Sequence, residues 1–131
     1  MKAIIHAKAV TPGGIIDNAT LLLDGDIIRA IGTDLQIPAD AQVLDAEGMW
    51  VGPGFVDIHL HGDGIESRWE WDPVPVAEHH LKHGSTTMVA YLPYSLSKED
   101  LLKATQMVQQ KLDDGKLPNV WAIGYEGPFI N

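Results

Sequence analysis

The chain has 131 residues, no cysteine and a formal charge of −9, with nine Lys and Arg against eighteen Asp and Glu. That charge argues against nucleic acid or an anionic membrane as partner, because both reward basic patches. The missing thiols exclude disulfides and cysteine-based zinc knuckles. Hydrophobic content of 45% and a mean hydropathy of −0.03 fit a soluble globular protein with one modest core, and a reducing, cytoplasmic setting is consistent with the absence of cysteine.

The start, Met1 to Lys8, is interrupted by His6 and Lys8 too early for a secretory signal core, and no apolar run reaches membrane-spanning length. Ala3–Val10 reads as a strand, and Thr11-Pro12-Gly13-Gly14 as the turn after it. Thr20–Leu23 and Asp26–Ile31 flank Asp24-Gly25 as a hairpin. Gly32–Asp40 is a loop containing Pro38, and Gln42–Asp45 and Met49–Val51 bracket a turn at Glu47-Gly48. These segments predict a small antiparallel β unit over residues 1–52.

The pattern changes at Pro53. Phe55–His61 predicts a strand, Pro73–Lys82 a helix stopped by Gly84, and Thr86–Leu92 a second strand ended by Pro93. Ser97 can cap the next helix, with Glu99 and Asp100 in its first turn and Leu101, Ala104, Val108 and Leu112 as its buried stripe. Asn119–Glu126 is a third strand. A β-α-β-α-β order predicts three parallel neighbouring strands joined by right-handed crossovers. Chemistry in such sheets gathers at the carboxyl ends of the strands.

Two segments put chemistry-bearing residues at that rim. Side chains alternate along a strand, so His59 and His61 share a face one pleat apart, within reach of one metal ion. Asp57 shares that face one step deeper, while Val56, Ile58 and Leu60 form an apolar opposite face suited to being covered. In the third strand Val120, Ala122, Gly124 and Glu126 share one face, and the bulkier Trp121, Ile123 and Tyr125 the other. The small face suits a crowded interior with the Glu126 carboxylate at its mouth, followed by a sharp exit at Gly127-Pro128.

Pro53-Gly54-Phe55-Val56-Asp57-x-His59-x-His61-Gly62 after a short β unit resembles the amidohydrolase superfamily, and Glu126-Gly127-Pro128-Phe129-Ile130-Asn131 resembles the third-strand motif of N-acetylglucosamine-6-phosphate deacetylases. The resemblance implies an α/β fold: a small antiparallel β-sandwich unit, of which residues 1–52 are the N-terminal part, followed over residues 53–131 by the first three β/α units of a TIM-like (β/α)8 barrel. It implies His59, His61 and Glu126 as ligands of a divalent metal, zinc or iron, one or two ions, with Asp57 orienting them from behind. The metal would activate water to hydrolyse the acetamide of N-acetylglucosamine-6-phosphate, or of a related N-acetyl amino sugar, to the amine and acetate.

The resemblance further implies a small-molecule amino-sugar phosphate as partner and a homodimer at full length. It leaves the substrate-binding residues unassigned. A dihydroorotase- or hydantoinase-like cyclic amidase, or a truncated non-catalytic relative, are the alternatives. The chain departs from the family where Gly124 stands at a place often held by His, and where Gly62–Trp71 is bulky and charged rather than glycine-rich. A complete barrel takes about 250 residues, so the chain is expected to be an N-terminal piece, inactive alone, whose general-base Asp lies downstream. His79, His80 and His83 on the first helix, His6 in the β unit, and Arg68 on its loop read as surface or structural residues. Trp69, Trp71, Tyr91 and Tyr94 read either as the lining of a sugar pocket or, equally well, as core or rim packing.

Overall fold

The computed structural model describes residues 1–64 and 66–127 of the chain, which divides into two compact units, Met1–Pro53 and Gly54–Asn131.

The first unit is one five-stranded sheet of β1 (Lys2–Thr11), β2 (Gly14–Asp24), β3 (Ile27–Gly32), β4 (Gln42–Asp45) and β5 (Trp50–Val51). The hairpins β1–β2 and β2–β3 are antiparallel, as their turn residues predict. The expected antiparallel character fails at β4 and β5, which both pair parallel with β1. After β3 the chain crosses to the far edge of β1 and runs beside it, interrupted only by the turn at Glu47-Gly48. That turn matches a bulge in β1, where His6 has a φ of 53° and its Nδ1 lies 2.9 Å from Asp45 Oδ2.

The core of this unit is small: Ala3, Ala7, Ala9, Ala19, Leu21 and Ala46. A sandwich needs a second sheet. Among the described residues of this unit there is one, and Ile15, Ile28 and Leu44 remain exposed.

The second unit is β6 (Phe55–Leu60), α1 (Pro73–Lys82), β7 (Ser85–Leu92), α2 (Lys98–Asp113) and β8 (Val120–Tyr125). Its sheet has the order β6-β7-β8 and is parallel throughout, as the β-α-β-α-β pattern requires. Asp72 caps α1 by accepting the Val74 N–H, and Ser97 caps α2 by accepting that of Asp100. Leu60, Trp69, Val76, Met88, Leu92 and Val108 make the core between sheet and helices. Asn119, 3% exposed, ties it together by donating to the carbonyls of Ala77 and Ser85. Gly54 is required by close approach, since a Cβ there would collide with the Thr86 side chain.

The outward apolar face of β6 is not covered as its pattern suggests. Leu60 is buried, but Val56 is 67% and Ile58 70% exposed. α1 packs chiefly on β7, and α2 on β7 and β8, while β6 and β8 are the two edges of this sheet. Trp121 on the edge strand β8 is 79% exposed, while Ile123 packs on the core and the Tyr125 hydroxyl meets Thr105 of α2 at 3.1 Å.

Candidate metal centre

His61 is the first residue beyond β6 and Glu126 the first beyond β8, so both stand at the carboxyl rim of the sheet. The Glu126 N–H donates to the Leu92 carbonyl at 3.1 Å, which extends the β7–β8 ladder by one rung and fixes where the carboxylate starts. His59 Nε2 lies 3.2 Å from His61 Nε2, and His61 Nε2 lies 3.2 Å from Glu126 Oε2. One ligand atom from each of the three residues falls within 4.8 Å of the others.

β6 is irregular where it carries the histidines. Its register with β7 slips between Asp57 and Leu60, a bulge that takes the intervening backbone out of the ladder. The Asp57 carboxylate accepts the His59 main-chain N–H at 3.1 Å. Asp57 thus acts on the backbone of the first histidine. The bulge leaves both imidazoles converging.

The tautomer of His61 follows from its partner. A carbonyl can only accept, so His61 Nδ1–H donates to the Tyr91 carbonyl at 3.1 Å. With Nδ1 committed, the ring turns its Nε2 toward the Glu126 carboxylate and the second imidazole. Three electron-rich atoms aimed at one point repel unless a proton or a cation lies between them. Two nitrogens and one carboxylate oxygen, with one imidazole oriented by a backbone carbonyl, are a donor set that fits zinc or iron.

Tyr91 reads from the sequence as pocket lining or as core or rim packing, and its ring lies against the histidines themselves. It stacks on the His59 ring with centroids 4.1 Å apart and planes 8° from parallel, and meets His61 edge-on at 6.4 Å. Gly124 is its cross-strand partner, and a Cβ there would fall 2.5 Å from Tyr91 Cε2.

The loop after His61 is braced at several points. Trp69 is fully buried and its Nε1–H donates to the Leu60 carbonyl, between the two histidines, at 2.7 Å. His80 does not simply face solvent: its Nε2 donates to the Gly62 carbonyl at 2.9 Å. Asp63 Oδ1 accepts the N–H groups of Glu66 and Ser67. Beside His61 the loop encloses a cleft of about 360 Å³, lined also by Glu66, Ser67, Arg68 and Trp71. The Arg68 guanidinium lies 5.7 Å from the centre of the Trp71 ring. His79 and His83 stay together on α1 with ring centroids 4.4 Å apart, and neither joins the trio. The Pro128 exit and the motif residues Phe129, Ile130 and Asn131 lie outside the described residues.

No protein-family model matches the chain. Among curated relatives it is 30% identical over 132 residues to a dihydroorotase of Lactobacillus gasseri, covering all of this chain and 29% of that one. It is 31% identical over 120 residues to a dihydroorotase of Geotalea daltonii, covering 89% of this chain and 28% of that one. Among solved structures, the N-acetylglucosamine-6-phosphate deacetylase of Pasteurella multocida superposes with a TM-score of 0.77 at 24% identity, over 99% of this chain and 35% of that one. The N-acetyl-D-glucosamine-6-phosphate deacetylase of Mycobacterium smegmatis gives 0.74 at 29% identity, over all of this chain and 37% of that one. The chain therefore spans about a third of the length of the proteins it matches.

A parallel β/α unit with a His-x-His pair at the end of its first strand and a glutamate at the end of its third, together with these likenesses, makes the chain similar to enzymes of the amidohydrolase superfamily. Within that superfamily it resembles the N-terminal part of N-acetylglucosamine-6-phosphate deacetylases, and dihydroorotase sequences fit it as well.

Proposed function

We propose that the chain supplies the first three ligands of a divalent-metal centre, His59, His61 and Glu126, in an enzyme that removes the acetyl group from N-acetylglucosamine-6-phosphate or a related N-acetyl amino sugar. The observation that carries this reading is the convergence of the Glu126 carboxylate on the His59–His61 pair from a strand two places away. When bound, the metal would polarise the amide carbonyl and activate water.

This chain's own part is positional. Asp57 pins the His59 backbone, the Tyr91 carbonyl fixes the His61 tautomer, and the ladder bond at Leu92 sets Glu126. The cleft beside His61 offers Arg68 to an anionic substituent and the Trp71 face to a sugar ring, against the opposing charge of Glu66. The general base of the reaction, and most of the barrel, would come from strands beyond these three, so the 131-residue chain alone is inactive on this reading.

Hydrolysis of a cyclic amide is the second reading, favoured by the dihydroorotase relatives. The test is run on the natural polypeptide that carries this chain, loaded with zinc, and on the 131-residue chain. Acetate release from N-acetylglucosamine-6-phosphate by the former alone is expected. Ring opening of dihydroorotate or a hydantoin without acetate release overturns the deacetylase assignment, and turnover by the 131-residue chain overturns the need for later strands. Replacing His59, His61 or Glu126 by Ala should remove bound zinc, and unchanged zinc content would remove the metal centre itself.

A further inference from the structure

We infer that Tyr91 is a positioning residue of this metal centre, a platform that holds both imidazoles, and that Gly124 is glycine to admit its ring. The inference rests on the metal reading proposed above.

Tyr91 touches the histidines in two independent ways. Its ring lies flat on His59, with centroids 4.1 Å apart and planes 8° from parallel, which stops that imidazole from rotating about its χ2 axis. Its main-chain carbonyl accepts the Nδ1–H of His61 and so selects the tautomer with a free Nε2. A single residue on the central strand therefore orients ligands that the β6 bulge would otherwise leave loosely held. The ring is not there to fill the core, for Tyr91 lies outside the buried cluster around Trp69, Met88 and Leu92.

Gly124 completes the arrangement. It stands opposite Tyr91 in the β7–β8 register. Its φ is not among the positive values, so the backbone there would accept any residue. What forbids a side chain is the ring: a Cβ would fall 2.5 to 2.7 Å from three of its atoms. A side chain at 124 and the flat Tyr91 platform exclude each other. The smallest residue at 124 and the aromatic at 91 are one device.

Two measurements test this. The first needs no metal: at constant alkaline pH, the His59 ring protons should resonate upfield from ring-current shielding. That shift should vanish in Tyr91→Leu and persist in Tyr91→Phe. The second is zinc affinity by calorimetry, which should fall about tenfold or more in Tyr91→Leu, as when supporting partners of ligands are removed, and hold in Tyr91→Phe. Gly124→Ala should weaken zinc binding in the parent chain and cost nothing further in a Tyr91→Leu background, a non-additivity that general destabilisation would not give.

Circular dichroism shows that each variant compared is folded. Unchanged His59 shifts in Tyr91→Leu, or equal zinc affinities in all variants, overturn the platform while leaving the metal centre standing. A parent chain with the ring-current signature that takes up no zinc at millimolar concentration overturns the metal centre, and the platform as a device for it.

Discussion

At the scale of single residues, His61 shows how much one hydrogen bond decides. Its Nδ1–H is committed to the Tyr91 carbonyl, so only Nε2 is left for a ligand, and Glu126 faces that atom. Glu126→Gln keeps the shape and removes the charge, and should weaken zinc binding by at least about tenfold, read by competition with a chromophoric chelator. Asp57 acts differently. Its carboxylate satisfies the His59 N–H that the bulge frees from the ladder. Asp57→Asn retains an acceptor oxygen and should be nearly neutral, whereas Asp57→Ala should lower unfolding stability by about 1 kcal/mol in a urea titration. Equal losses in both would mean that charge, not the acceptor, matters there.

The sequence made His59, His61 and Glu126 legible because each sits at a strand end whose direction the pattern sets. Tyr91 was not legible. Its role depends on lying opposite Gly124, a register that only the folded sheet fixes. Trp69 and His80 escaped for a related reason, since their partners, the carbonyls of Leu60 and Gly62, are backbone atoms brought near by the return of the chain.

At the scale of elements, period and capping carried the reading well. Ala104 and Val108 of the stripe are buried and Leu101 and Leu112 pack beside them, and Ser97 both accepts the Asp100 N–H and donates to its carboxylate. Ser97→Ala should therefore lower stability by about 1 kcal/mol, measured by thermal or urea unfolding of the second unit. The same local rules gave the hairpins of the first unit but misjudged β4 and β5. Turn chemistry at Glu47-Gly48 says that the chain bends. It does not say which edge of β1 the chain follows, and a loop as long as Thr33–Ala41 permits either.

Asp45 at the end of β4 carries a pH signature of that arrangement. The Glu47 N–H first, and His6 second, hold its carboxyl below the ordinary value of 3.8. A carboxyl lowered in the folded state binds protons more readily when unfolded. Its contribution is whole above that ordinary value and is lost as the pH falls through the lowered one. Asp45→Asn should flatten acid unfolding below about pH 4 and leave neutral stability little changed, as the carboxylate is exposed and well screened.

At the scale of the whole molecule, the second unit has two open sheet edges among its described residues. Along β6, Phe55, Val56 and Ile58 are 67 to 70% exposed, and on β8 Trp121 is 79% exposed. A parallel sheet ordinarily has both faces covered, and an unpaired apolar edge invites pairing with another chain. The same geometry that opens the edges places His61 and Glu126 on one rim, so the site and the exposed surface have one origin in the three-stranded sheet. The 131-residue polypeptide should therefore self-associate as its concentration rises, and sedimentation velocity would show it. Ile58→Lys and Trp121→Lys place a charge on each edge without touching His59, His61 or Glu126. Both should shift the distribution toward monomer while the far-ultraviolet spectrum stays unchanged. A parent chain that stays monomeric at every concentration up to the millimolar range would show that these edges are closed in solution by some contact the sheet order does not reveal.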